Sequence, residues 1–120
     1  MIEAPADVLE ILRSCHVDSH EKLDVLVFVS TREAPAHMHE IAASACMTIA
    51  DAERTVAALC SRRILIMHEA RQVSRTTDAA LRVRIDELLR AYYACPLSLL
   101  CSLWNQKLDR LRTSARRLRR

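Results

Sequence analysis

The chain has 120 residues, of which 51% are hydrophobic, which fits one compact domain with an apolar core and leaves too little material for a second. It has no run of 18 or more apolar residues, and its acidic start MIEAPADVLEIL lacks the basic region and cleavage site of a signal peptide, so we expect a cytoplasmic protein without membrane contact. The net charge of +3 is unevenly distributed along the chain. Residues 1–60 have four basic and ten acidic side chains, whereas residues 61–120 have fourteen basic and five acidic ones. The second half therefore suits binding to a polyanion or to the acidic half of another copy.

Two helices are expected at the start of the chain. Pro5 suits the first turn of a helix that ends near Cys15. The apolar side chains of this helix are Val8, Leu9, Ile11 and Leu12. Asp18 or Ser19 can cap a second helix, with Glu21 placed for a capping box. Because the segment EKLDVLVFVS is apolar nearly all round, we expect this second helix at the centre of the core.

A helix-turn-helix pattern follows the connector TREAPA. The segment HMHEIAASA predicts a third helix, whose apolar face is formed by Met38, Ile41, Ala42 and Ala45. Thr48 is an N-cap candidate with Asp51 at the third helical position, so a fourth helix is expected to begin at Ile49 and to end near Arg62 or Arg63. Its expected buried residues are Ala52, Val56, Leu59 and, at the edge, Cys60.

The rest of the chain predicts a hairpin and two helices. Residues 64–76 hold two short β-type runs, ILIM and VSRT, around the polar HEARQ. Thr77 or Asp78 can cap a long helix that reaches about Ala94, and Pro96 interrupts it. An apolar stripe at near-heptad spacing runs from Leu81 to Leu118, which is too long for a small domain to bury alone. We therefore expect a homodimer through Leu88, Tyr92, Leu99, Leu103, Trp104, Leu108 and Leu111.

From about Leu23 to Ala91, the order of helices and hairpin resembles that of bacterial winged helix-turn-helix regulators of the MarR and ArsR kinds. The most specific stretch is IAASACMTIADAERTVAALCSRRILI. In it, Ile41 and Ala42 are similar to the pair that opens the family's helix-turn-helix, and Thr48 is similar to the hydroxyl that caps its recognition helix. Cys46 and Arg63 stand where the family commonly has glycine.

The resemblance implies a mainly α fold, a winged helix-turn-helix with a two-stranded β-wing and long C-terminal dimerisation helices. It also implies two regions. Residues 1–95 would form the winged-helix domain with its N-terminal helix, and residues 96–120 would form the C-terminal dimerisation helix with a basic tail.

The function implied by the resemblance is that of a DNA-binding transcriptional regulator, a homodimer on double-stranded DNA with a recognition helix over about 48–62. Arg54 and Thr55 have side chains suited to base edges, and arginines in and beside the wing would hold phosphates. The expected DNA-binding residues are Thr48, Arg54, Thr55, Ser61, Arg62, Arg71 and Arg75. Because Glu53 on the same helix would repel phosphate, whereas Asp51 is explained as the capping partner of Thr48, the alternative is a winged-helix protein–protein interaction module without sequence-specific DNA binding.

We expect no enzyme, no metal and no cofactor. Paired catalytic carboxylates, a nucleophile elbow and a phosphate loop are absent from the sequence. The five histidines, at positions 16, 20, 37, 39 and 68, lack the convergent spacing of metal sites. The five cysteines are odd in number and widely spaced, which does not fit a disulfide framework and favours packed thiols, with Cys46 and Cys101 as the candidates for redox reactivity. The basic tail KLDRLRTSARRLRR fits a solvated helix, a nucleic-acid contact or an acidic protein partner.

Overall fold

The computed structural model describes the backbone of residues 6–118 and the side chains of residues 8–113. Within these limits the chain forms six α-helices and a small three-stranded sheet, so the predicted mainly α class is confirmed. The helices are α1 (Ala6–Ser14), α2 (His20–Ser30), α3 (Met38–Ser44), α4 (Ile49–Ser61), α5 (Ala79–Ala94) and α6 (Pro96–Leu118). The strands are β1 (Ala36–His37), β2 (Leu65–Met67) and β3 (Gln72–Arg75). Pro5, expected in the first turn, lies outside the described residues.

The sheet is antiparallel throughout, in the order β1-β3-β2. Val73 in the central strand pairs with Ala36 on one side and with Met67 on the other. The predicted two-stranded hairpin is therefore present as β2 and β3, and β1, which the sequence did not predict, adds a third strand to the sheet. A strand of two residues has no alternation of apolar and polar side chains to reveal it, and only its pairing with β3 defines it.

Side-chain caps fix the starts of four helices, and at α3 the cap is His37, in a capping box with Glu40. The Thr48 hydroxyl accepts a hydrogen bond from the Asp51 N–H at 3.1 Å, and the Asp78 carboxylate accepts one from the Leu81 N–H at 3.2 Å. At α2 the cap is Ser19, whose hydroxyl accepts from the Lys22 N–H at 3.2 Å. Because Lys22 then occupies the third helical position, the capping box expected from Glu21 is not formed.

All six helices contribute to one apolar core. The centre of this core is α2, as expected, with Leu23, Val25, Leu26 and Val29 buried. In α6, Leu99 and Leu103 pack into the same core. The core therefore continues past residue 95, the boundary expected between the two regions.

The chain has no glycine, yet three of its helices end in the left-handed conformation that glycine favours. The residues concerned are His16 (φ 55°), Cys46 (φ 53°) and Arg63 (φ 63°). After each, an apolar residue donates its N–H five residues back: Val17 to Leu12 at 2.9 Å, Met47 to Ala42 at 3.0 Å, and Ile64 to Leu59 at 3.0 Å. These are Schellman motifs, in which the apolar contact across the helix end compensates for the steric cost of a side chain at positive φ.

Candidate nucleic-acid interface

The helix α4 lies at the surface with one face in the core and the other towards solvent. Its buried side chains are Ala52, Val56 and Leu59, as the apolar spacing predicts. The turn between α3 and α4 contains Cys46 at positive φ, so the position where glycine would be usual keeps the glycine-like backbone. The exposed residues of α4 are Ile49, Ala50, Arg54, Ala57 and Ser61.

The charged side chains in the first two turns of α4 are paired. Arg54 donates a hydrogen bond to the Asp51 carboxylate one turn earlier, and Arg71 forms an ion pair with Glu53. The hydrogen bond from Arg54, followed by that from Thr48, lowers the pKa of Asp51 below its ordinary value. Two carboxylates and two guanidinium groups thus cancel, and this part of the surface is close to neutral.

The tip of the β2–β3 hairpin lies against α4 through Arg71. Ala70 (φ 59°, ψ 29°) and Arg71 (φ 58°) are both left-handed, in the turn that joins the strands. This is the arrangement of a type I′ turn, which matches the twist of a two-stranded ribbon and usually takes asparagine and glycine. The turn directs Arg71 towards Glu53, so the hairpin and the start of α4 form one surface.

The positive charge that remains lies at the other end of α4. Arg62 and Arg63 follow its last turn and are exposed, and neither has an ion pair with another side chain of residues 8–113. Arg75, on β3, lies with Nη1 3.5 Å from the Asp86 Oδ1 of α5. Of the four arginines expected to bind DNA, Arg54, Arg71 and Arg75 are therefore near carboxylates.

The three hydroxyl groups of the expected interface are hydrogen-bonded within α4. Thr48 caps the helix, Thr55 donates to the Asp51 carbonyl at 2.8 Å, and Ser61 donates to the Ala58 carbonyl at 2.7 Å. Thr55 and Ser61 use their protons in these bonds and offer only acceptor lone pairs. The Thr48 hydroxyl accepts the capping bond, so its proton is not used by that bond.

A groove along α4 is lined in part by residues that the sequence did not predict for this site. Its opposite wall is the start of α2, with His20, Lys22 and Asp24 facing Arg54 and Thr55. Partial burial raises the pKa of Asp24. No spacing signal links these segments, because their contact depends on how α2 and α4 pack.

The residues expected to form the dimer fall into two groups. Leu88, Leu99 and Leu103 are buried within a single chain, so their assignment to a dimer interface is wrong. The other residues, Tyr92, Trp104, Leu108 and Leu111, are half-buried or exposed, with Trp104 52% and Leu111 56% exposed. Heptad spacing alone does not distinguish the two apolar sides of α6, of which one faces the core and the other faces outwards. In the tail, the side chains of Arg116, Arg117, Arg119 and Arg120 lie outside the described residues.

The cysteines divide by burial. Cys15 is buried, and desolvation raises the pKa of its thiol to about 11. Cys46 and Cys101 are exposed, while Cys60 and Cys95 are half-buried.

Among the residues that the structure describes, no three histidine, cysteine or acidic side chains come together to ligate a metal. None of the described helices is long and apolar enough to span a bilayer.

Comparison with known proteins finds a likeness to a solved structure. No protein-family model matches the chain, and no curated protein matches it. Among solved structures, it is similar to a protein of unknown function from Listeria innocua Clip11262, with 19% sequence identity and a TM-score of 0.46. The match covers 88% of this chain and 82% of that one. A likeness of this degree does not identify a family.

Proposed function

We propose that the chain is a winged helix-turn-helix protein that binds double-stranded DNA as a homodimer and regulates transcription. The observation that carries the proposal is the sequence of elements α2-β1-α3-α4-β2-β3 around a sheet ordered β1-β3-β2. In helix-turn-helix proteins the second helix of the pair enters the major groove, and here that helix is α4, exposed beside a hairpin.

The charges suggest how DNA would be held. Arg54 lies in the first two turns of α4 and is the longest side chain there that can donate to a base edge. Arg62, Arg71 and Arg75 are placed to contact phosphates, and Arg63 joins this set because it is exposed beside Arg62. Ion pairs between exposed side chains contribute only about 0–1 kcal/mol, so a DNA phosphate can replace Asp51 or Glu53 as the partner of an arginine.

A second candidate function follows from those same ion pairs. With Asp51 and Glu53 neutralising Arg54 and Arg71, the start of α4 has no net charge to attract a polyanion. Such a surface suits a protein partner with mixed polar groups. The runner-up is therefore a winged-helix interaction module that lacks sequence-specific DNA binding.

Fluorescence anisotropy with labelled duplex DNA across a range of salt concentrations separates the two functions. Four phosphate-contacting arginines in each subunit give about eight contacts per dimer and a slope of log K against log salt near −7. Arg54→Ala should lower affinity for a selected site by about 1–3 kcal/mol and leave random DNA nearly unaffected. Arg62→Ala should weaken both alike.

The matched control is Arg84→Ala, since Arg84 lies on α5 beside Glu10 and Ile11 of α1 and outside the proposed interface. This variant should bind DNA as the natural chain does. Absence of binding at low salt by a folded dimer would reject the DNA function and favour the interaction module. Binding that ignores salt would reject the proposed phosphate contacts.

A further inference from the structure

The helix α6 has two apolar sides with different surroundings. One side packs into the core through Leu99 and Leu103. The outer face consists of side chains that are exposed or half-buried, spaced alternately four and three residues apart: Leu97, Cys101, Trp104, Leu108 and Leu111. In sequence the same spacing continues to Ala115 and Leu118, whose side chains lie outside the described residues. We call Leu97, Cys101, Trp104, Leu108 and Leu111 the α6 outer face.

The spacing of the α6 outer face indicates the kind of partner. Alternation of four and three residues is the heptad repeat, whose side chains fit between those of another helix with the same repeat. α6 itself carries that repeat on an exposed surface, so a second copy supplies a matching helix. Leu97, Trp104 and Leu111 are each more than half exposed, and large apolar side chains grouped in this way mark an interaction surface.

The charge along α6 selects the direction of pairing. Residues 96–106 contain no charged side chain, whereas residues 107–120 contain seven basic residues and one acid, Asp109. Parallel helices would set the two basic halves side by side, and like charges at close range repel. Antiparallel helices that cross near Trp104 instead place Lys107, Arg110 and Arg112 beside residues 96–101 of the partner, which carry no charge.

We infer that α6 pairs antiparallel with α6 of a second copy through the α6 outer face. The inference rests on the proposed homodimer and specifies its interface, but it does not depend on DNA binding. Leu97 of each chain then lies towards the basic half of its partner, and Trp104 lies near the two-fold axis.

Distances between spin labels on the two chains test the direction. Asn105 and Arg112 are exposed and one heptad apart on the same flank of the α6 outer face. Labels are attached after Asn105→Cys or Arg112→Cys in a background with Cys46, Cys60, Cys95 and Cys101 replaced by serine, while Cys15 is buried and stays. With a rise of 1.5 Å per residue, an antiparallel pair separates the Arg112 labels by roughly 20–30 Å and keeps the Asn105 labels at least about 10 Å closer.

Each outcome of this measurement decides the inference. Equal distances at the two positions mean parallel helices and overturn the inference while leaving a homodimer in place. A monomer by light scattering in the natural chain overturns both the inference and the homodimer, whatever the result with DNA. If the fourfold background does not fold by circular dichroism, the same distances are measured with only the exposed Cys46 and Cys101 replaced.

Discussion

The outer faces of α4 and α6 are both exposed to solvent, but they differ in whether their side chains have partners within the chain. On α4, Asp51 and Glu53 already pair with Arg54 and Arg71. On α6, Leu97 and Trp104 are each more than half exposed to water, and the Lys107 Nζ lies 5.6 Å from the centroid of the Trp104 ring. One face is polar with its charges matched internally, and the other is apolar without a cover.

This difference separates two kinds of binding energy. Burying a large apolar side chain contributes about 1.5–3 kcal/mol and requires only a surface of matching shape. Binding at α4 exchanges one ion pair for another, so its net gain is small unless the ligand is a polyanion that releases counterions. Self-association through α6 should therefore be strong, and DNA binding through α4 should be weak unless two copies act together.

Trp104→Glu should produce the largest effect, because it places a charge at the centre of the α6 outer face. Loss of two indole contacts per dimer costs about 3–6 kcal/mol, a weakening of dimerisation by at least about a hundredfold. Sedimentation or light scattering should then report a monomer. Thr113 lies two heptads after Leu99, on the side of α6 opposite Trp104. Thr113→Glu therefore adds the same charge away from the α6 outer face, serves as the control and should stay dimeric. A dimer that survives Trp104→Glu contradicts the assignment of this face.

Neutralising the acids of α4 tests the other half of the comparison. Asp51→Asn with Glu53→Gln removes two negative charges per chain and releases Arg54 and Arg71 from their ion pairs. If α4 faces DNA, each repulsive contact between a carboxylate and a phosphate costs about 1 kcal/mol or less. Removing these contacts should therefore raise the affinity for random duplex DNA by roughly tenfold or more. Glu69→Gln, at the hairpin, is a matched change of charge and should have a smaller effect. Unchanged or weaker DNA binding by the double variant would favour the protein-interaction function.

Much of the fold could be predicted because local chemistry decides it. Thr48 and Asp78 cap the helices that they were expected to cap, and the apolar spacing identified the buried side of α4. Cys46 and Arg63, found where the resemblance implies glycine, do adopt positive φ. These features depend on residues close together in sequence.

The features that could not be predicted depend on contacts between distant segments. β1 is defined only by its pairing with β3, and the groove along α4 exists only because α2 packs beside it. The spacing could not show that Glu53 pairs with Arg71, since the turn of the hairpin brings them together. For α6, periodicity showed an apolar stripe but not which side the core would occupy, and Leu99 was placed on the wrong one.

Replacing the left-handed residues by glycine should stabilise the folded chain. Because these residues lie at helix ends, the outer faces of α4 and α6 stay intact, and effects on stability can be separated from effects on binding. Arg63→Gly and His16→Gly each relieve the steric cost of a side chain at positive φ. After subtraction of the greater flexibility of glycine in the unfolded chain, the expected gain in free energy of unfolding is about 0.5–1 kcal/mol each. Urea denaturation measures it. Alanine at the same sites retains the Cβ atom and should give no such gain, and equal gains from alanine would contradict the account.

The smallest expected effect concerns the pH dependence of the Asp51 pairing. The hydrogen bond from Arg54 lowers the pKa of Asp51 in the folded chain below the value of about 3.8 for an unfolded one. A lowered folded pKa contributes stability above the unfolded value, and this contribution is lost as the pH falls through the folded value. Asp51→Asn should therefore be less stable than the natural chain at pH 7, and thermal denaturation should show the difference shrinking towards pH 3. A difference that is constant with pH would contradict the role of the charge.

The proposed functions of α4 and α6 together require that pairing through α6 holds the two α4 helices at the spacing of successive major grooves. Spin labels at the exposed Ala57 of each subunit of the proposed dimer measure this directly, after replacement of the accessible cysteines. Helices that read successive grooves lie about 34 Å apart, so we expect a distance distribution centred near that value, broadened by the length of the labels. A distance below about 20 Å would mean that the α4 helices pack against each other in the dimer, which contradicts a DNA-binding arrangement and identifies α4 as part of a protein interface.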